Sequence, residues 1–176
     1  VRPLIGRPGI ADSPHPARRV RPGNRIAVCN VIILAGPSGA GKSTFARRFD
    51  ADKHVVCSAD DYFMTPDGRY DFRPGNLPEA HGACLRKFMV AVAGTRLVIV
   101  DNTNCTSVEI APYLAIAQAH EANIEVRVFD APLITLIARA QHGAPSSAIE
   151  RQQGNLHAML AAWPLRWPAP ARHPQP

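Results

Sequence analysis

The chain has 176 residues, 46% of them apolar, and a net charge of +6. That excludes a globally disordered polymer and suits one domain with a buried core. Of its 17 prolines, five lie in residues 1–30 and five in residues 163–176. Charge divides the same way: residues 1–30 carry six Arg against Asp12 alone, whereas residues 31–162 carry 12 Lys and Arg against 13 acids. The expected organisation is a basic Pro/Arg-rich flexible tail over 1–30, a folded domain over 31–162 and a Pro-rich flexible tail over 163–176. Because the basicity lies outside the folded part, it gives little reason to assign that part a nucleic-acid partner. Solvated spacers are the simpler reading of the tails. Cys29, Cys57, Cys84 and Cys105 are scattered without CxxC spacing, which argues against a zinc site or a disulfide framework and for the cytoplasm. No apolar run approaches the roughly 18 residues of a membrane span, and the N-terminus lacks the apolar stretch of a secretory signal. The chain starts at Val rather than Met, so its true start stays open.

Val31 to Ala35 is a continuous β-branched run, the pattern of a strand buried on both faces. A glycine-rich turn follows over 36–41, then a helix over Lys42 to Phe49. Val55 to Cys57 is a second strand ending at Ser58-Ala59-Asp60-Asp61, and a loop rich in aromatics, Pro and Gly runs from Tyr62 to Pro78. Glu79 to Ala93 reads as a helix closed by Gly94 in the C′ position. Leu97 to Val100 is a third strand ending at Asp101; Ser107 to Glu121 is helical with Ser107 as N-cap; Ile124 to Phe129 is a fourth strand. Helices over Leu133 to Gln141 and Ser146 to Leu160 flank a Gly143-Ala144-Pro145 break. Strand–helix alternation implies an α/β fold: a mostly parallel sheet with right-handed crossovers and helices on both faces, in three layers. Ligands bind such sheets beyond the carboxyl ends of the strands, where the 36–43 loop, Asp60, Asp61 and Asp101 all fall.

Gly36-Pro37-Ser38-Gly39-Ala40-Gly41-Lys42-Ser43 fits G-x-x-x-x-G-K-[ST], between a strand and a helix, the setting that makes this a P-loop. Glycines let consecutive N–H groups point at an anion, and the helix beginning near Lys42 adds its positive end. Lys42 then reaches the β- and γ-phosphates, Ser43 ligates Mg²⁺, and Thr44 continues the nucleotide-binding segment. Asp101, ending the third strand, matches a Walker B acid that holds Mg²⁺ directly or through water, with a turn-capping Asp as the alternative. Asp60, ahead of Asp61, can accept the proton of an attacking hydroxyl, with solvated turn residues as the alternative. Arg139, His142 and Arg151 lie around the 143–145 break, where a hinged helical lid could bring cations over the transferred group.

The order Gly36–Ser43, Ser58-Ala59-Asp60-Asp61-Tyr62-Phe63, Val98-Ile99-Val100-Asp101-Asn102-Thr103-Asn104, then Arg139-Ala140-Gln141-His142-Gly143-Ala144-Pro145 and Ile149-Glu150-Arg151 resembles the polynucleotide 5′-kinase-like group of P-loop kinases. The resemblance implies a P-loop NTPase sandwich with a helical lid near the C-terminus, ATP with Mg²⁺, Asp60 as base, acceptor contacts from Thr103 and Asn104, and Arg139 or His142 as the lid cation. Tyr70 to Pro74, with Arg73 among them, and Glu79-Ala80-His81 resemble a broader set of ATP-binding proteins of this type whose acceptors are mostly unassigned, and the resemblance implies that they lie where an acceptor would dock. Two positions depart from the pattern: Phe63 stands where some polynucleotide kinases carry Arg, and Arg139 is followed by Ala140 rather than Asn. The leading expectation is an ATP-dependent kinase acting on a polynucleotide or nucleotide-like 5′-hydroxyl. The alternatives are a sugar or sugar-nucleotide kinase and an ATP-binding regulatory module without catalysis.

Overall fold

A computed structural model of the chain describes residues 28–49, 53–140 and 143–174. The N-terminal tail up to residue 27, and His142 in the lid, lie outside the described residues.

The strands are β1 (Asn30–Ala35), β2 (Val55–Cys57), β3 (Leu97–Asp101), β4 (Asn123–Val128) and β5 (Ala171–Arg172). The helices are α1 (Lys42–Ala46), α2 (Leu77–Gly94), α3 (Ser107–Ala119), α4 (Leu133–Arg139) and α5 (Ser146–Ala161). The strands form one sheet in the order β2-β3-β1-β4-β5, with every pairing parallel. Alternation along β1 divides the core in two. Val31, Ile33 and Ala35 face the cluster containing Cys84 and Phe88 of α2 and Leu114 of α3. Ile32 and Leu34 face the cluster of Phe45 of α1, Leu136 of α4 and Ile149 of α5. Helices thus cover both faces, as the α/β reading requires, and β1 is buried along Val31–Ala35. All four cysteines are buried and free. Among the described residues no helix is long and apolar enough to cross a membrane.

Three local expectations differ from the structure. The α3 N-cap is Thr106, not Ser107: its hydroxyl accepts from the Glu109 N–H while the Glu109 carboxylate accepts from the Thr106 N–H, a reciprocal box one residue upstream. Gly94 stays helical as the last residue of α2, and extended Thr95 closes the helix, so no left-handed glycine is needed. The largest difference is at the C-terminus. Residues 163–174 are not a flexible tail but lie against the domain. Trp163 and Trp167 meet edge to face at 5.2 Å and pack on the core, and the Trp163 indole donates to Pro168 O at 3.1 Å. Beyond them, β5 joins β4, and the His173 N–H donates to Val128 O at 2.8 Å. Proline content suggested disorder here, but apolar indole burial outweighs the ordering cost, and an edge strand tolerates flanking Pro.

Candidate active site

Beyond β1 the chain curls through the glycine-rich loop. The Gly36 N–H donates to Thr103 O at 2.7 Å, fastening the loop to the β3–α3 connection. A Cβ at Gly36 would collide with the Phe129 carbonyl oxygen, and one at Gly39 with the Leu136 carbonyl oxygen. Gly39 also has φ +81°, which L side chains rarely adopt. Lys42 opens α1 but folds back under the loop, its Nζ donating to Gly36 O at 2.8 Å and Pro37 O at 2.9 Å. It is only 8% exposed. Burial lowers its pKa, and the nearby Asp101 and Asp60 carboxylates oppose that shift. From the lid side, Gln152 Oε1 accepts the Ser38 N–H at 3.0 Å.

The acids sit at the ends of β2 and β3. The Ser58 hydroxyl accepts the Asp60 N–H at 3.2 Å and donates to Asp101 O at 3.0 Å, starting a tight 3-10 turn over Ala59–Phe63. Asn102 is buried and joins the same two strand ends, its Oδ1 accepting the Ala59 N–H at 2.8 Å. Its Nδ2 donates to Tyr113 Oη at 3.1 Å and Cys84 Sγ at 3.3 Å. Asp60 accepts from Tyr70 Oη at 2.9 Å. Asp61 points elsewhere and pairs with Lys87 of α2 at 2.7 Å. Asp101 is partly exposed; burial raises its carboxyl pKa, against the Ser43 hydroxyl hydrogen-bonded to it and the Lys42 ammonium.

A cavity of about 510 Å³ brings most of the predicted residues together: Ser38 to Thr44 with Lys42 and Ser43 among them, Asp60, Asp101, Thr103 and Arg139. Other predicted residues stand apart. Asn104 is 1% exposed, with φ +46° and its amide donating to Leu34 O at 2.7 Å. It braces the end of β1 and does not line the cavity. Arg73 is exposed and paired to Asp71 at 2.7 Å, and Arg151 is an exposed residue of α5; neither borders the cavity. Gly36 and Pro37 are buried beneath the loop and serve through their carbonyls.

Six further residues line the cavity that sequence reasoning did not single out as site residues: Phe45, Arg47, Arg48, Asn102, Phe129 and His173. Arg47 and Arg48 lie one turn past Ser43, a spacing that could have marked them. His173 gave no signal, because its place depends on β5. Its ring stacks on Phe129 at 4.4 Å and meets Phe45 edge-on at 5.3 Å. Burial lowers its pKa, helped by the nearby Arg127 and Arg48 charges.

The lining suits a polyphosphate: a glycine-rich loop, a buried ammonium and flanking arginines. A hydroxyl bonded to a carboxylate suits Mg²⁺, which keeps several waters and takes few protein ligands.

A family model described as AAA domain matches residues 31–164. Human NEDD4-binding protein 2 is 34% identical over 103 residues, a stretch covering 55% of this chain and 6% of that protein. A chain in the structure of the Pnkp1/Rnl/Hen1 RNA repair complex superposes with TM-score 0.66 at 25% identity, over 82% of this chain and 49% of that one. A gluconokinase from Sinorhizobium meliloti 1021 shares the fold at TM-score 0.55 and 16% identity, over 84% of each chain. The chain therefore spans about half, or far less, of the first two of these relatives. The matches agree with the resemblance to polynucleotide 5′-kinase-like P-loop kinases drawn from the motifs, and the fold is that of P-loop kinases.

Proposed function

Because this chain belongs to the AAA domain family, with a P-loop kinase fold, we propose that it transfers the γ-phosphate of ATP to a polynucleotide or nucleotide-like 5′-hydroxyl. The observation that carries this reading is one cavity bordered by the phosphate loop, Lys42, Arg139 and the Asp60 carboxylate. A binding module needs the first three. A carboxylate at the same cavity, oriented by a tyrosine hydroxyl, is what an attacking hydroxyl needs.

In this reading the loop N–H groups and Lys42 hold the β- and γ-phosphates, and Arg139 draws the charge that spreads over the transferred group. Asp60 takes the acceptor proton as the acceptor oxygen bonds to the γ-phosphorus and the bond from that phosphorus to the ADP oxygen breaks. Mg²⁺, for which Ser43 and Asp101 are the fitting ligands, would supply charge neutralisation on the phosphates. Thr103, on the cavity wall beside Asp101, is the proposed acceptor-side contact, and Asn102 keeps the two strand ends in register.

The test is transfer of labelled γ-phosphate from Mg·ATP to 5′-hydroxyl DNA and RNA oligonucleotides, with Lys42→Ala as the blank. Label on the oligonucleotide, lost in the blank, is the expected result. No label, with ATP binding demonstrated separately, would overturn the polynucleotide acceptor and direct the search to small-molecule alcohols.

A further inference from the structure

The segment after Asp60 carries three exposed apolar side chains beside the cavity, Tyr62, Met64 and Phe72. It is a short hairpin. Met64 and Tyr70 form an antiparallel bridge, the Thr65 N–H donates to Arg69 O at 2.8 Å, and the Asp71 N–H donates to Phe63 O at 2.9 Å. Phe63 is buried at 4% and supports the rings above it, with Phe72 at 5.0 Å and Tyr70 at 6.0 Å. Tyr70 and Phe72 lie within 7° of parallel. Yet Tyr62 and Phe72 are each 45% exposed and Met64 is 48% exposed. Aromatic rings held on a bonded hairpin and left in water mark a binding surface more often than a packing fault.

The charges around the rings narrow the occupant. Arg69 pairs with Asp67 at 2.6 Å, Arg73 with Asp71 at 2.7 Å and Lys87 with Asp61 at 2.7 Å. These charges balance one another pair by pair, so the patch presents no net cationic field for phosphates. It offers flat π-faces and a polarisable thioether. The patch is also continuous with the candidate site, because the Tyr70 hydroxyl is bonded to Asp60.

We propose that Tyr62, Met64 and Phe72 form a stacking platform for the terminal base of a single-stranded acceptor, setting its 5′-hydroxyl at Asp60. The platform rests on the kinase reading for its meaning, but it can be tested as a binding surface by itself. Stacking of this kind is tolerant of base identity, so the enzyme grips any unpaired end and reads no sequence.

The experiment uses the full chain and single-stranded 5′-hydroxyl oligonucleotides that differ only in their first residue, a normal nucleotide or an abasic one. Fluorescence anisotropy reads binding and label transfer reads chemistry, for wild type, Phe72→Ala and Phe72→Leu. Removing the base or the ring weakens Kd and KM about tenfold, and removing both adds little to either alone. Phe72→Leu keeps the apolar bulk and the melting temperature, but loses the discrimination between the two oligonucleotides. That discrimination stays constant between about 50 and 200 mM salt, whereas overall affinity follows the phosphate contacts. Equal phosphorylation of abasic and normal ends by wild type would overturn the platform and leave the kinase reading standing. Ring-dependent binding without transfer would do the reverse. Failure to bind either oligonucleotide would sink both.

Discussion

The two ends of the cavity are held in different ways. At the phosphate end, Lys42 is buried, its ammonium is tied to two loop carbonyls, and two glycines admit no side chain. At the other end, proposed to receive the acceptor, Asp60 is exposed, oriented by Tyr70 Oη and by the short turn that Ser58 begins. A surface that meets every nucleotide in the same way can be prebuilt. A surface that must admit and release a varied acceptor keeps its reactive group at the edge. Binding and chemistry should therefore separate at the acceptor end and fall together at the phosphate end.

The largest effect expected is at Asp60. Asp60→Asn keeps the shape and the Tyr70 hydrogen bond but cannot take a proton, so transfer should fall by about 10²–10⁴-fold. The rise in melting temperature that saturating ATP produces should be unchanged, since that rise reports nucleotide affinity alone. A variant with near wild-type turnover would remove Asp60 from the chemistry. Lys42→Ala should lower kcat/KM by about 10²–10³-fold and abolish the ATP-dependent melting shift as well. If it kept the shift, the phosphate end would be separable too, and the contrast between the ends would fail.

Asn102 tests what joins the ends. Asn102→Ala leaves the Ala59 N–H without the partner it has now, together with the buried Tyr113 hydroxyl and Cys84 thiol that it bridges. Loss of such a buried bond costs about 1–3 kcal/mol, read as a lower urea midpoint at unchanged m-value. Because Ala59 precedes Asp60, kcat should drop in the folded variant while ATP affinity holds. An unchanged midpoint would show that water replaces the amide.

Sequence made the phosphate end legible because its residues are contiguous. A glycine pattern flanked by a β-branched run and a helix specifies loop, lysine and hydroxyl together, and the alternation of β1 told which layers would cover it. The acceptor end was legible in type but not in partner. Asp60 and Asp61 are adjacent in sequence, and only the position of Lys87 on α2 turns one into a surface ion pair and leaves the other at the cavity. Asn104 resembled an acceptor contact, yet its left-handed backbone and its bond to Leu34 O make it a brace. Arg73 was claimed by a neighbour two residues away. The C-terminal segment was misread because proline content describes local stiffness and says nothing of the indoles between the prolines. Their burial depends on α5 and the β4 edge, which periodicity does not bring together.

That segment supplies the last and smallest test. His173 reaches the cavity wall only while β5 is docked, and both tryptophans of the chain, Trp163 and Trp167, lie in the same stretch. Their emission therefore reports docking directly. The His173 pKa is depressed by burial and by Arg127 and Arg48, so the docked segment holds neutral imidazole while the undocked one binds a proton more readily. Docking is then fully favourable above the ordinary histidine pKa, about 6.5, and weakens as the pH falls through it, because the undocked state takes up more protons. Wild-type tryptophan emission should shift to the red on acidification through that range. His173→Phe should keep the stack on Phe129 and lose the pH dependence, whereas His173→Ala should be red-shifted at neutral pH and bind ATP a few-fold more weakly. If emission is flat with pH in the wild type, the imidazole is not what the docking senses. If His173→Ala binds ATP as wild type does, the segment closes the cavity without touching the nucleotide, and the phosphate end is complete without it.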